Sequence, residues 1–363
     1  MQNFNNKKVL IAPLDWGLGH TTRCIKIVKL LIDKGCSVIV ASNSTQKQLL
    51  QKEFNNIEFL ELEGYNITYS KNPRLLPFKL IAQLPKIATR IYAEHRWLQK
   101  TIEKHRIDLV ISDNRYGLYT SKIPCVIITH QLTIKAPFAW LENILQNINY
   151  GFINRFTQCW VPDYAGDKNI AGLLSHPKRL PKIPVQYIGP LARFEKDNTS
   201  INRYQYCIIL SGPEPQRTIL EDIILQQLPA LRGKILLVRG KLDALPIETQ
   251  LPNVTIKNHL NGLELEEAMN ASAYIITRSG YTSVMELLAL QKKSILIPTP
   301  GQTEQEYLGK QLMHQHWAYC VDQKDVDLSE CIEIAREFAY HLPSFDKGSL
   351  GIFLLDFILQ YLN

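Results

Sequence analysis

Ile275-Ile276-Thr277-Arg278-Ser279-Gly280-Tyr281-Thr282-Ser283-Val284-Met285-Glu286-Leu287-Leu288-Ala289 joins three signals in one short segment. The apolar run from Tyr274 to Ile276 predicts a buried strand, Arg278-Ser279-Gly280 a tight turn, and the spacing from Tyr281 onward a helix. Backbone N–H groups at the start of such a helix lack intrahelical partners, and the helix dipole favours negative charge there. Arg278 adds a planar guanidinium suited to two phosphate oxygens. Glu286, two turns into the helix, is placed to accept from ribose hydroxyls. An ordinary βα turn with a surface arginine accounts for the same residues, so the segment alone leaves both readings open.

The rest of the second half has the same grammar. Tyr206 to Leu210 predicts a strand, followed by Ser211-Gly212-Pro213-Glu214-Pro215-Gln216-Arg217-Thr218 and a helix. Gly212 allows close approach of a ligand, and Arg217 has the reach for a phosphate. Further strands are predicted at Lys234 to Arg239, Val254 to Ile256 and Ser294 to Pro298. Asn258-His259-Leu260-Asn261 leads into a helix ending near Ala271. Thr299 to Glu306 enters another helix through Gln302, Glu304 and Gln305, which between them donate and accept hydrogen bonds. That set suits a polyol, or else a capped helix start with surface glutamates.

The first half opens with a strand at Lys7 to Pro13, running into Asp15-Trp16-Gly17-Leu18-Gly19-His20-Thr21-Thr22-Arg23 and a helix that Gly35 closes. Strands follow at Ser37 to Ala41 and Ile57 to Leu62. Strand, glycine turn, helix, strand is the opening of a doubly wound sheet. The GLGH glycines do not match GxGxxG, so no dinucleotide site is implied. His20 lies at the carboxyl end of the first strand, where open α/β sheets bind ligands, and its ordinary pKa suits a general base. Arg23, one turn on, either holds an anionic group or caps its surroundings. Strands at Ile107 to Ser112 and Pro124 to Thr129 end in Asp113-Asn114-Arg115 and His130-Gln131. This places Asp113, Arg115 and His130 at the same edge as His20. An Asp113–His20 pair would fix the imidazole tautomer; a helix-capping Asp113 is the alternative.

Asn72 to Lys104 is basic and helical in spacing, interrupted by Pro77 and Pro85. It fits either a helix lying on an anionic membrane surface or ordinary helices packed on the sheet. Residues 1–196 hold 27 of the 41 Lys and Arg but 14 of the 34 Asp and Glu, giving +13; the remainder carries −6. A basic first half suits an anionic partner, although no nucleic-acid recognition module is visible. The seven scattered cysteines lack close CxxC pairs, which argues for reduced thiols, a cytoplasmic setting and no metal cage. The polar start to the first strand argues against a secretory leader.

Arg278-Ser279-Gly280-Tyr281-Thr282-Ser283-(x2)-Glu286, then Pro298 and Glu304-Gln305, resembles the nucleotide-sugar motif of GT-B glycosyltransferases. The pattern is nearest to family 28, which includes the peptidoglycan N-acetylglucosaminyltransferase acting on a lipid acceptor. Gly17-Leu18-Gly19-His20-(x2)-Arg23 is similar to the amino-terminal loop of the same group. The resemblance implies an α/β chain of two Rossmann-like doubly wound domains facing across a cleft. Residues 1–190 would be the acceptor-side domain, 191–203 a linker, 204–345 the nucleotide-sugar domain and 346–363 a closing helix.

On this resemblance Gly19, Gly212, Arg217, Leu260, Arg278, Ser279, Gly280, Thr282, Ser283, Glu286, Gln302, Glu304 and Gln305 would bind a UDP-sugar. Ser279 to Thr282 would take the diphosphate, Glu286 the ribose, Glu304 and Gln305 the sugar, and the Leu260 backbone the base. His20 and Asp113 would be catalytic, with Arg23, Arg115 and His130 on the acceptor side. The implied reaction is inverting transfer to a hydroxyl acceptor, a lipid-linked one among the family's choices, with no metal and no cofactor. Two departures stand out: many relatives carry histidine or glycine in place of Arg278, and Ser211 to Arg217 replaces a glycine- and serine-rich turn. A UDP-sugar hydrolase, which shares the GxGHxxR loop, and a non-catalytic nucleotide-sugar sensor remain as alternatives.

Overall fold

A computed structural model describes residues 4, 7–68, 79, 82–136, 138–241, 245–345 and 349–362. The chain divides into two compact units, one of residues 1–68, 80–193 and 346–363, the other of residues 69–79 and 194–345.

The first unit is built on a seven-stranded parallel sheet. Its strands are β1 (Lys8–Pro13), β2 (Ser37–Ser42), β3 (Glu58–Glu61), β4 (Leu109–Asp113), β5 (Cys125–Ile128), β6 (Gln158–Val161) and β7 (Val185–Tyr187). They lie in the order β3-β2-β1-β4-β5-β6-β7. The central strands carry buried apolar runs, Val9–Pro13 in β1 and Leu109–Ile111 in β4, as expected where helices cover both faces. Successive side chains alternate between those faces: Leu10, Ala12, Val110, Cys125, Ile127 and Cys159 share one core with Leu98 and Ile102. The latter two lie on helix α3 (Leu84–His105), after α1 (Leu18–Asp33) and α2 (Ser44–Gln51). Helix α4 (Ala139–Ile153) adds Tyr150 and Ile153 to the same core.

Pro85 does not break α3; it sits in the first turn, where its missing N–H costs nothing, and the helix runs on unbroken to His105. Of the basic segment, residues 72–78, 80 and 81 lie outside the described residues.

The second unit has a six-stranded parallel sheet. Its strands are β8 (Tyr204–Ile209), β9 (Ile235–Val238), β10 (Val254–Lys257), β11 (Ser272–Thr277), β12 (Lys293–Leu296) and β13 (Tyr319–Cys320), in the order β10-β9-β8-β11-β12-β13. Between them run α5 (Gln216–Gln227), α6 (Gly262–Asn270), α7 (Tyr281–Ala289) and α8 (Thr303–His314), with α9 (Leu328–Glu337) following β13. Helix α6 starts with a reciprocal capping box: Asn261 Oδ1 accepts from the Glu264 N–H, and the Glu264 carboxylate accepts from the Asn261 N–H.

The segment expected to link the units is not uniformly polar. Leu191, Ala192 and Phe194 are buried, and Asn270 holds the Glu195 carbonyl and the Asp197 N–H. Helix α10 (Ser349–Leu362) returns to the first unit, where Phe353 and Phe357 pack edge-on to the buried Trp160. Residues 346–348 lie outside the described residues. No described helix is long and apolar enough to cross a membrane.

Candidate active site

In each sheet the strand order reverses at one place, and in open α/β folds the crevice outside that point receives the ligand. In the first unit the reversal lies between β1 and β4. The chain runs outward from β1 through β2 to β3, then returns to the other side of β1. Gly17, in the left-handed region at φ 84°, turns the chain out of β1 so that α1 starts at Leu18 with His20 in its first turn. Asp113 is the last residue of β4 and is fully buried. Topology therefore brings His20 and Asp113 together, with Nδ1 3.1 Å from Oδ1.

Arg23 joins this pair from one turn further along α1. Its Nε donates to Asp113 Oδ2 at 2.7 Å, and Nη2 donates to Oδ1, a bidentate fork. Nη2 also lies 2.9 Å from His20 Nδ1, and Nη1 lies 3.3 Å from Nδ1 of the buried His130. The Cys24 thiol completes the shell around Asp113.

Burial would raise the Asp113 carboxyl, but Arg23 and His20 beside it outweigh burial and hold it well below the usual carboxylate range. Burial, together with the Arg23 cation, lowers His20 from its ordinary value against the upward pull of Asp113. Burial also drives the Cys24 thiol well above its ordinary value, so it remains a neutral donor.

Two of the three acceptor-side expectations change. Arg23 does hold an anionic group, but it is the chain's own Asp113 carboxylate rather than an acceptor; its guanidinium is enclosed by Asp113, His20 and His130. Arg115 is also fully buried, pairs with Glu94 at 2.7 Å, and donates to the Pro13 and Glu63 carbonyls. Glu94 in turn accepts from the Tyr65 hydroxyl and the Gly117 N–H. Arg115 is therefore a tie between the loops after β1, β3 and β4 rather than an acceptor contact. His130 stays with His20 at the strand edge.

In the second unit the reversal lies between β8 and β11, where the Gly212 and Gly280 turns stand side by side. At both glycines the place of a Cβ is open space, so a ligand can approach the backbone closely. Gly280 is the N-cap of α7, and the half-buried Thr282 and Ser283 lie in that helix's first turn. Glu286 is buried on the same helix, and Glu304 is half-buried at the start of α8.

The polar side chains here act mostly as ties. Ser279 Oγ donates to the Gln305 carbonyl at 2.8 Å. Gln305 is itself buried, with Oε1 accepting from the Thr299 N–H and Nε2 donating to Gln302, so its amide secures the loop before α8 rather than standing free for a sugar. Arg278 is buried beneath the turn and donates to the carbonyls of Gln216, Ile297 and Pro298. Its fork points to backbone rather than outward as a phosphate clamp. Yet no carboxylate neutralises it among the described residues, and its Nε–H lacks a partner. Burial pushes it down to about 10, which leaves it charged at neutral pH. The turn thus rests on an unopposed positive charge below a helix N-terminus, a field that favours an anion.

The "Glycosyl transferase family 1" model matches residues 8–183, and the "Glycosyltransferase family 28 C-terminal domain" model matches residues 207–339. The chain is a GT-B glycosyltransferase whose second half matches the family 28 C-terminal domain. It is 22% identical to an uncharacterized glycosyltransferase of Methanosarcina acetivorans, over 82% of this chain and 81% of that one. It is 20% identical to the UDP-N-acetylglucosamine--N-acetylmuramyl-(pentapeptide) pyrophosphoryl-undecaprenol N-acetylglucosamine transferase of Buchnera aphidicola, over 90% and 88%. Among solved structures, the glycotransferase of kitacinnamycin superposes with a TM-score of 0.61, covering 96% of this chain and 93% of that one. At 14% identity that likeness is one of fold.

In this glycosyltransferase Arg217 does not reach outward. It is buried between Glu214 and Glu221, and Glu221 also accepts from Arg239 and lies 3.3 Å from Lys241. Burial would raise the Glu221 carboxyl, but these cations reverse the effect and lower it. Arg239 continues to Asn258 at 2.7 Å, fixing the strand edge just before the half-buried Leu260. Sequence reasoning missed Glu221, Arg239 and Glu94. Only the Arg217–Glu221 spacing of four within a helix was a usable signal. Among the described residues, no three His, Cys, Asp or Glu side chains are grouped to hold a metal ion.

Proposed function

We propose that this glycosyltransferase moves a sugar from a UDP-sugar to a hydroxyl acceptor with inversion at the anomeric carbon. The observation that carries the reading is the His20–Asp113 contact of 3.1 Å at the switch point of the first sheet. With Asp113 ionised, His20 donates from Nδ1 and presents the lone pair of Nε2. The acceptor oxygen bonds to the anomeric carbon as that carbon's bond to the diphosphate oxygen breaks. The hydroxyl proton passes to Nε2, and UDP leaves with the bonding pair. The charge gathering on UDP is met by the α7 N-terminus and the Arg278 cation beneath it, without a divalent ion. Gly212 and Gly280 clear space for the diphosphate; Thr282 and Ser283 lie in the adjoining helical turn, Glu286 serves the ribose, Leu260 the base, and Glu304 the sugar. The relatives' names, UDP-N-acetylglucosamine transferases among them, support this donor class.

A lipid-linked acceptor at an anionic membrane surface fits two features of the first unit. Lys86, Arg96, Lys100 and Lys104 are exposed on α3, and Trp140, Ile144 and Ile148 form an exposed stripe on α4. In this reading the enzyme works from the cytoplasmic face of that membrane, in keeping with the seven scattered cysteines. Calorimetry against UDP-, GDP-, dTDP- and CMP-sugars, followed by product analysis with and without acceptor, tests the reading. Selective UDP-sugar binding and acceptor-dependent turnover support transfer. Free sugar released at the same rate without acceptor replaces transfer by hydrolysis, and no nucleotide binding overturns the donor assignment. Sedimentation with phosphatidylglycerol vesicles tests the membrane clause.

A further inference from the structure

A His–Asp pair acting as a base needs only its two members, yet this unit also buries an arginine against both. Arg23 is 1% exposed, and a guanidinium is costly to bury unless an opposite charge meets it. Asp113 meets it through both oxygens. Nη1 lies 3.3 Å from Nδ1 of the buried His130, while Nη2 donates to Asp113 Oδ1, the same oxygen that the Nδ1–H of His20 faces. Nε2 of His20 makes no hydrogen bond among the described residues.

We propose that Arg23 is a positioning residue for His20: it locks the Asp113 carboxylate with its fork, cancels most of that carboxylate's charge, and so presents His20 as a neutral imidazole open to a proton at Nε2 alone. The inference rests on His20 being the proton acceptor of the proposed transfer, and it concerns what sets that residue's basicity. The groups facing His20 are Asp113 from β4, Arg23 from α1 and His130 from the loop after β5; the Cys24 thiol donates to the other oxygen of Asp113. A lone carboxylate at 3.1 Å would make His20 a stronger base. With Arg23 present the Asp–Arg pair is balanced, and a proton added to His20 would stand as an unopposed second cation 2.9 Å from Nη2. The lowered proton affinity of His20 agrees with this arrangement.

The test is a histidine ring titration by NMR on the full chain, with His20→Gln used to assign the resonance. Wild-type His20 is expected to titrate below its ordinary midpoint of about 6.5. Arg23→Gln, which removes the charge, should move that midpoint upward by about one pH unit or more; Arg23→Lys, which keeps it, should not. Once an acceptor is in hand, the acid limb of the transfer rate should move upward in Arg23→Gln. A merely structural arginine would lower the rate at every pH without moving the limb. Wild-type His20 titrating at or above about 6.5 overturns the inference, even if Arg23→Gln fails to fold. So does an unchanged midpoint in Arg23→Gln. The titration reads His20 whatever reaction the chain performs. A normal midpoint with intact transfer sinks only this inference, whereas a low midpoint without transfer sinks only the functional reading.

Discussion

Nδ1 of His20 lies 3.1 Å from Oδ1 of Asp113, a residue 93 positions further along the chain. His20 stands in the first turn of α1 and Asp113 ends β4, so the contact exists only because β4 pairs directly with β1.

Removing the base should separate binding from chemistry. His20→Ala is expected to lower the transfer rate by about 10²–10⁴-fold, the usual range for a lost general base, with UDP-sugar affinity unchanged. Calorimetry beside a turnover assay checks both halves. An equal loss of binding would place His20 in the donor site instead.

Stability should depend on pH through the same residue. The folded state lowers the His20 value, so folding disfavours the protonated ring. The stability His20 contributes is therefore present above its unfolded value of about 6.5 and is lost as pH falls from there through the lower folded midpoint. Asp113, also depressed, acts in the same direction but only in much stronger acid. Urea unfolding of wild type and His20→Gln at a series of pH values should show the wild-type curve falling more steeply below about 6.5.

The buried Glu94–Arg115 pair should behave as a structural tie. Removing one partner leaves an uncompensated buried charge, so Arg115→Met should destabilise the fold by about 3–5 kcal/mol. The double variant Arg115→Met/Glu94→Gln should lose less than the two single changes summed, because the second removes the stranded carboxylate. Denaturant unfolding measures the coupling. Strict additivity would refute a direct pair.

Gly280 and Gly309 predict opposite outcomes. A side chain at Gly280 enters open space, and its φ of −66° suits any residue. Gly280→Asn should stay within about 0.5 kcal/mol of wild-type stability while weakening UDP-sugar binding at least about ten-fold. At Gly309 a Cβ would come within 2.5 Å of the Cys320 sulfur and 3.0 Å of Pro298. Gly309→Ala should therefore destabilise by about 1–3 kcal/mol through overpacking. Thermal unfolding together with calorimetry distinguishes the two.

Arg278 combines both effects. Arg278→Met removes the donor that holds the Gln216, Ile297 and Pro298 carbonyls, and it removes the unopposed charge under the turn. A stability loss of about 1–3 kcal/mol is expected, with UDP affinity falling about ten-fold or more. Unchanged UDP affinity would show that the Gly280 turn binds its anion by backbone alone.

Local signals in the chain were enough for the elements that these predictions use. Apolar runs of strand length, glycine turns and helix spacing mark β1, β8, β11, α1 and α7. The order of those elements implies two doubly wound units, and the Gly17–Arg23 and Arg278–Glu286 motifs mark the two strand edges that matter. Periodicity could not show which way a buried arginine points. Arg23, Arg115, Arg217 and Arg278 all read as side chains available to a ligand. Each instead folds its guanidinium inward onto partners 90, 21, 4 and 62 residues away, among others.

The sequence by itself determined the class of the fold, because a strand, a tight turn and a helix are set by residues that are neighbours in the chain. It also determined that His20 and Gly280 stand at strand ends. Only the tertiary structure decided what those ends face. The reversals between β1 and β4 and between β8 and β11 bring together groups far apart in the chain. Low-dielectric burial then drives each guanidinium onto the acceptors around it, the Asp113 carboxylate for Arg23 and three backbone carbonyls for Arg278, and that requirement, invisible to spacing, turns both from ligand contacts into supports beneath a strand edge.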